Sequence, residues 1–393
     1  MQLGIEAISF YVPNYYLDLA VLSEARGVDV AKYYIGLGQR KMAVSAPDED
    51  IITMAANSAV NVTQPDAKNS IDTLMFATES GMDCSKASGI YVHKLLGLSS
   101  QCRVIELKQA CFAATMGLQM ALSMLQQNPQ RKILLIASDI ARYGFNTAGE
   151  SSQGAGAVAM LLSANPRLLA IEPESGFYTE DVMDFWRPNY CDSALVNGKY
   201  SCDLYLRVLE KVWHHYSQLS GRGFLEHDCF CYHVPVPRLV EKAYKRLARL
   251  VTAEEVTDEQ AKLTMQHSLY YNREIGNCYT AALYISLLSL LETSDKDLTN
   301  CRIGLYSYGA GCVGEFFSAV VQNGYNKLLN LEQHRKILAA RNSLTYAEYE
   351  DFYNFTLPID GSCIEIPKYT TGEFRLAVLD KHKRIYERNN NQA

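Results

Sequence analysis

The chain has 393 residues, 48% hydrophobic and 20% charged, with 37 Lys and Arg against 43 Asp and Glu. At about 150 residues per domain, that length predicts two similar halves or one large body with insertions, whose core needs no disulfide or metal to stand. A net charge of −6 without a basic run excludes nucleic acid as the main partner, and the acidity is too mild for a disordered, solvating chain.

In chain order, short apolar and often β-branched runs at 71–78, 103–107, 133–137 and 157–162 predict strands. Between them, 85–96 and 110–127 have helical length. Further on, 229–233 and 302–306 read as strands, and 237–250, 255–270 and 279–292 as helices. This alternation predicts an α/β fold with helices on the faces of a sheet. Gln153-Gly154-Ala155-Gly156-Ala157-Val158 and Tyr308-Gly309-Ala310-Gly311-Cys312-Val313 echo one another, each leading into an apolar run. The echo points to two halves on one plan, 1–165 and 166–393, although so short a match also arises by chance. The polar, Asn-rich tail 381–393 is expected to fray.

No apolar run reaches the ~18 residues of a membrane helix, so no membrane partner is expected. The opening Met1-Gln2-Leu3-Gly4-Ile5-Glu6 has no secretory pattern, and eleven cysteines are too sparse for a disulfide scaffold of this length. Reduced cysteines in a cytoplasmic protein are the expectation.

Cys111 follows the strand-like Val104-Ile105-Glu106-Leu107 and opens the charge-free stretch 110–127. A helix that apolar is expected to be buried on most faces. A cysteine in its first turn would face free N–H groups and the positive end of the macrodipole, which favour the thiolate. Most intracellular cysteines are simply small buried hydrophobes, and position alone favours that reading. His227, Cys229, Cys231 and His233 alternate on one strand face, but six residues at ~3.3 Å each span ~20 Å, too far for one zinc. His233, before Val234-Pro235, suits a catalytic base at a strand's C-terminal end as well as a core or capping histidine. Glu79 ends the run Leu74-Met75-Phe76-Ala77-Thr78; burial there would raise its pKa toward the range useful for proton transfer, whereas a solvated strand end would leave it ordinary. Asn277 can cap the helix that follows or orient a catalytic group. Ser307 precedes glycines that let backbone N–H groups approach a substrate carbonyl, or that merely pack strand against helix. Neither glycine segment has phosphate-loop spacing. Cysteine, histidine and asparagine in this order, with a glutamate ahead, match the layout of a thiol-dependent acyl-transfer enzyme.

Taken in order along nearly the whole chain, several segments resemble the bacterial type of 3-hydroxy-3-methylglutaryl-coenzyme A synthase. They are Thr78-Glu79-Ser80, Lys108-Gln109-Ala110-Cys111-Phe112-Ala113-Ala114-Thr115, Ala141-Arg142-Tyr143-Gly144, Asp184-Phe185-Trp186-Arg187-Pro188, His233-Val234-Pro235, Gly276-Asn277-Cys278-Tyr279-Thr280 and Ser307-Tyr308-Gly309-Ala310-Gly311. The resemblance implies a thiolase-like fold of two pseudo-symmetric α/β/α halves, the first carrying Glu79 and Cys111, the second His233, Asn277 and Ser307. It implies a homodimer of the mevalonate route. The implied reaction joins acetyl-CoA and acetoacetyl-CoA with water to give 3-hydroxy-3-methylglutaryl-CoA and CoA, the thioesters being substrates and no cofactor or metal being needed. Cys111 would carry the acetyl group, Glu79 would take a proton from its methyl, and His233 would polarise the second substrate with Asn277 beside it. Backbone N–H groups at Cys111 and Ser307 would form an oxyanion hole; Tyr143, Asp184 and Asp203 would support. Where the family has an aromatic residue and a lysine after the histidine motif, this chain has Val236 and Arg238, and Ala310 stands for a serine. Arg238 and Lys242 would meet CoA phosphates. The rivals are an initiating β-ketoacyl-carrier-protein synthase, which needs no acid like Glu79, a related synthase acting on carrier-protein-bound β-ketones in polyketide branching, and a non-catalytic scaffold of the same fold.

Overall fold

The computed structural model describes residues 1–63, 68–191, 193–252 and 255–389. Its strands are β1 Leu3–Tyr11, β2 Tyr15–Asp18, β3 Lys41–Val44, β4 Ile71–Ala77, β5 Arg103–Leu107, β6 Lys132–Ile140, β7 Ala155–Ala164, β8 Leu169–Thr179, β9 Phe185–Trp186, β10 Leu195–Val196, β11 Cys229–Tyr232, β12 Arg302–Gly309, β13 Val313–Val321, β14 Asn342–Ser343, β15 Ile364–Glu365, β16 Phe374–Asp380 and β17 Lys383–Arg388. Nine form the main sheet, in the order β11-β12-β13-β8-β1-β7-β6-β4-β5. Each Gly-Ala-Gly run stands where the chain enters an antiparallel strand, at the start of β7 and in the turn between β12 and β13. β7 runs antiparallel to β6, which is parallel to β4. Likewise β13 runs antiparallel to β12, which is parallel to β11. The two halves meet where β1 pairs antiparallel with β8. This is the expected thiolase-like α/β plan.

Period-two alternation sorts the strand side chains between helix layers. Leu74, Phe76, Leu134 and Ile136 face one cluster with helices Ile51–Ala59 and Ser88–Leu96. Met75, Ala77, Leu135 and Ala137 face the opposite one, shared with helices Ala113–Gln127 and Ala282–Thr293. In the second half, Phe230, Tyr232, Tyr306 and Phe316 pack under helices Gly198–Ser220 and Pro237–Thr252. Cys231, Ile303, Leu305 and Phe317 return to the cluster of the 113–127 and 282–293 helices. Both halves therefore share one central helical layer.

Four expectations shift. The helix foreseen from 85 starts at Ser88, leaving an irregular segment after Glu79. The one foreseen at 255–270 runs Asp258–Ile275, because Thr257 and Gln260 close a capping box at its start. The charge-free 113–127 helix buries Ala113, Ala114, Leu118, Ala121 and Leu125, but Met116 is 42% exposed and Ser123 is exposed as well. Finally, residues expected to fray form β17, paired with β16; 390–393 lie outside the described residues. No helix among the described residues is long and apolar enough to cross a membrane.

Candidate active site

Glu79 leaves β4 on a turn wound around a second acid, Asp139 of β6. Asp139 Oδ1 accepts hydrogen bonds from Thr78 Oγ1 at 2.8 Å, the Glu79 N–H at 2.9 Å, the Ser80 N–H at 3.0 Å and Ser80 Oγ at 2.8 Å. Its Oδ2 accepts from the Thr280 N–H at 3.1 Å and from Thr280 Oγ1 at 2.5 Å. A buried carboxylate persists only when its lone pairs are satisfied, and here the turn supplies four donors and Thr280 the other two. Asp139 thus fixes where Glu79 stands. Burial, then the charge of Asp139, drives the Glu79 pKa well above the usual carboxylate range; Arg187 opposes the rise, and its guanidinium donates to the Glu79 carbonyl at 2.9 Å.

Cys111 sits on a tight turn in which Ala110 has φ +44°, a left-handed conformation that a non-glycine residue holds only under strain. The helix begins at Ala113, so the cysteine precedes its first turn rather than lying in it. Gly309 lets β12 come against this turn: a Cβ there would lie 2.7 Å from the Phe112 N and Cβ. Cys111 Sγ donates to Glu79 Oε2 across 3.7 Å. Burial, then the charges of Glu79 and Asp139, pushes the thiol pKa well up. This reverses the expected helix-end thiolate: low dielectric and neighbouring carboxylates outweigh the dipole, and the resting group is a thiol.

His233 lies one residue past β11. Its N–H donates to the Tyr306 carbonyl at 2.7 Å and its own carbonyl accepts from Tyr205 Oη at 2.7 Å, so its backbone is held on both sides. The ring is buried, Nδ1 has no partner among the described residues, and desolvation brings its pKa down to about 3. The imidazole is neutral near pH 7. Tyr306 continues through Ser307 and Tyr308 to Gly309, which ties the strand end carrying His233 to the Cys111 turn.

Asn277 both caps and orients. Its Oδ1 accepts from the Tyr279 N–H at 2.9 Å, and its Nδ2 donates to Tyr143 Oη at 2.8 Å. Tyr143 is walled by Phe185 and Tyr279, with ring centroids 5.5 and 5.9 Å away. Burial and then the charges of Cys111 and Glu79 raise its pKa well up, which places its ring in the same enclosure. Glu79, Cys111, Tyr143 and Asn277 therefore converge, with His233 at the neighbouring strand end.

The remaining expected residues divide. Asp184 is fully buried and pins the loop before helix 198–220 to the end of β12, accepting from Tyr308 Oη at 2.6 Å, the Gly311 N–H at 2.9 Å and Ser201 Oγ at 3.2 Å. Ser307 Oγ accepts from Thr115 Oγ1 at 2.8 Å, bracing the helix behind Cys111. Its backbone is not free for an oxyanion: Tyr306 turns its carbonyl toward β11, so Ser307, the next residue, faces β13, where it is in register with Glu315. Asp203 is exposed on helix 198–220, where its charge acts on Arg246 and Cys202, and it is not brought to the site. Arg238 is spent on Glu241 at 2.7 Å and Asp258 at 2.5 Å, so its guanidinium is not presented to a phosphate. Lys242 remains exposed, its charge reaching Cys202. Sequence reasoning missed Asp139, although an acid closing the apolar run before it was a usable signal, the one that singled out Glu79. It also missed Arg187, inside a segment already noted.

Family models for hydroxymethylglutaryl-coenzyme A synthase match the chain, the N-terminal one over residues 1–167 and the C-terminal one over 170–260 and 248–356. A hydroxymethylglutaryl-CoA synthase of Enterococcus faecalis is 40% identical over 360 residues, covering 92% of this chain and 94% of that protein. The chain belongs to the hydroxymethylglutaryl-CoA synthase family. The reaction of that family is condensation of acetyl-CoA with acetoacetyl-CoA. A solved HMG-CoA synthase complexed with CoA superposes with a TM-score of 0.93 at 37% identity, covering 99% of this chain and 100% of that one. The family has a second branch nearby. A polyketide 3-hydroxy-3-methylglutaryl-ACP synthase, PksG of Bacillus subtilis, is 34% identical over 88% of this chain and 87% of that protein. The HMG synthase of the curacin pathway with holo donor-ACP has a TM-score of 0.93 at 32% identity, covering 99% and 100% of the two chains.

Proposed function

We propose that this synthase works through an acetyl-Cys111 intermediate, with Glu79 as its base and CoA as carrier of both substrates. The observation that carries the reading is the thiol 3.7 Å from a carboxylate whose pKa burial has raised. In the first step the Cys111 sulfur attacks the acetyl thioester, its proton passes to the departing CoA sulfur, and Cys111 becomes acetylated. Glu79, ionised, then takes a proton from the acetyl methyl, whose charge moves onto the thioester oxygen. The resulting carbon nucleophile adds to the ketone of acetoacetyl-CoA, and the ketone oxygen takes up the proton that Glu79 removed. Neutral His233 supplies one N–H to that oxygen, with Asn277 and Tyr143 lining the approach. Water finally cleaves the Cys111 thioester: its oxygen enters the new carboxylate, one proton returns to the Cys111 sulfur and the other is released. No step needs a cofactor or metal. Asp184 and Ser307 support the walls, and Lys242 is the candidate on its helix for the CoA phosphates.

Identity supports CoA over a carrier protein, since the E. faecalis synthase is closer than PksG, 40% against 34%. The test is product formation from the two CoA thioesters, with Cys111→Ser as control; a chain that turns over only when the ketone is carried on a protein belongs to the other branch. The boundary between halves is placed at 165/166, in the short link between β7 and β8. The assembly is proposed as a cytoplasmic homodimer built on the β5 edge of the sheet. Support for the dimer comes from Ile105 on that edge, 45% exposed, and from Met116 on the charge-free helix that follows β5.

A further inference from the structure

We propose that the C-terminal hairpin positions the base, with Arg384 as the positioning residue that holds the segment following Glu79. This rests on assigning methyl proton removal to Glu79. The segment 80–87 has no regular structure and is largely exposed. Its ends are fixed, by Ser80 on Asp139 and by the Ser88 N–H on Glu106 at 2.6 Å. Its middle is held at Asp83, which accepts from Arg384 Nη1 at 2.8 Å through Oδ1 and from Tyr91 Oη at 3.1 Å through Oδ2. Tyr91 in turn packs edge-on against Tyr386, 5.5 Å between centroids.

An exposed ion pair between two mobile side chains holds little, typically below 1 kcal/mol. This one differs because the arginine stands on an immobilised platform. Three consecutive buried acids, Asp48, Glu49 and Asp50, each grip the C-terminal segment. Asp48 accepts from the Tyr369 N–H at 2.8 Å and Arg375 Nε at 3.3 Å. Glu49 accepts from Thr370 Oγ1 at 2.9 Å, and Asp50 from Tyr386 Oη at 2.6 Å. Phe374 is inserted into the core beside helix 51–59. Arg384 itself is only 16% exposed and faces the charge of Asp50 as well as Asp83. The hairpin lies beyond residue 356, where the family models stop matching. It reaches back to the one stretch of chain that leads directly from Glu79. A shift of about 1 Å in a reacting group costs up to about a hundredfold in rate, so a tether at this distance has leverage on catalysis without touching substrate.

The test uses the full-length protein with Arg384→Met, Arg384→Lys, Asp83→Asn and the Met/Asn double variant. Cys111 acetylation is read by intact mass and turnover with both thioesters by steady-state kinetics. R384M and D83N are each expected to lower kcat about tenfold. The acetylated fraction and the KM for acetoacetyl-CoA should stay within about twofold, R384K should recover at least half of the loss, and the double variant should be no worse than either single one. Wild-type kcat in R384M, or acetylation falling in step with turnover, overturns the proposal. If R384M does not fold, D83N on the exposed segment decides by the same readings. A wild-type protein that makes no C6 product overturns the functional reading and this proposal together, whereas an active wild type matched by its variants overturns this one alone.

Discussion

Asp139 and Glu79 form a pair in which one acid organises the other and sets its strength. Burial raises the pKa of Asp139 itself, the six hydrogen bonds it accepts hold that rise back, and its charge makes Glu79 harder to ionise. A base of raised pKa is the better acceptor for a weakly acidic C–H proton, provided it can still be emptied at the working pH. Glu79→Gln should therefore still accept an acetyl group on Cys111, while condensation drops by about 10²–10⁴, as loss of a general base usually costs; mass spectrometry and product assay separate the two. The sign of the pH effect follows. Glu79 must be ionised to act, so the acid limb of kcat lies above the ordinary glutamate range, and Asp139→Asn, by removing a neighbouring negative charge, should move that limb to lower pH. His233 does not contribute to the limb near neutrality, since its pKa of about 3 leaves it uncharged there. Profiles of wild type and D139N from pH 5 to 9 test both statements; an unmoved limb removes Asp139 as the cause.

At the level of elements, two of the acids that fasten the C-terminal segment, Glu49 and Asp50, have pKa values raised by burial. Burial, with Asp48 adding to it, raises the Glu49 pKa to about 7. The folded protein then holds a proton on Glu49 that the unfolded chain releases from pH 4.5 upward, so this group's contribution to stability falls as pH rises from about 4.5 to 7. At 1.36 kcal/mol per unit the fall is on the order of 3 kcal/mol. Glu49→Gln should flatten that part of the curve, read as the difference between wild type and variant in urea unfolding at pH 5 and 7.5. The hairpin itself was not legible in sequence. The residues of β17 are polar because they face water, and what fixes the hairpin lies more than 300 residues earlier, at Asp48, Glu49 and Asp50. Six of the nine main-sheet strands, β4 to β7, β11 and β12, were legible, since runs such as Leu74 to Ala77 are buried on both faces and carry no polar interruption, whereas β1, β8 and β13 were not, with Glu6, Glu172 and Glu315 breaking their apolar runs. The turn at Ala110 was not: an alanine at φ +44° leaves no mark in residue type, so the helix was read as starting three residues early. Glu79 and Cys111 could be picked out individually, but their mutual approach depends on Gly309 and Asp139, which belong to other strands.

For the whole molecule, the open end of the sheet at β5 sets the expectation of assembly. An edge strand that exposes an apolar residue is normally protected by charge, a bulge or a partner. Ile105 on the edge and Met116 on the adjoining helix offer an apolar surface without charge between them on that helix. Ile105→Lys is expected to shift the protein from dimer to monomer in sedimentation velocity at micromolar concentration; an unchanged sedimentation coefficient places the interface elsewhere.

The helical layer common to both halves has a consequence for synthesis. The 113–127 helix finds its full set of neighbours only once the 282–293 helix has left the ribosome, some 166 residues later. At 5–20 residues per second that is a wait of roughly 10–30 s. During it the nascent first half carries an uncovered greasy face, and chaperone capture or misassociation competes with completion.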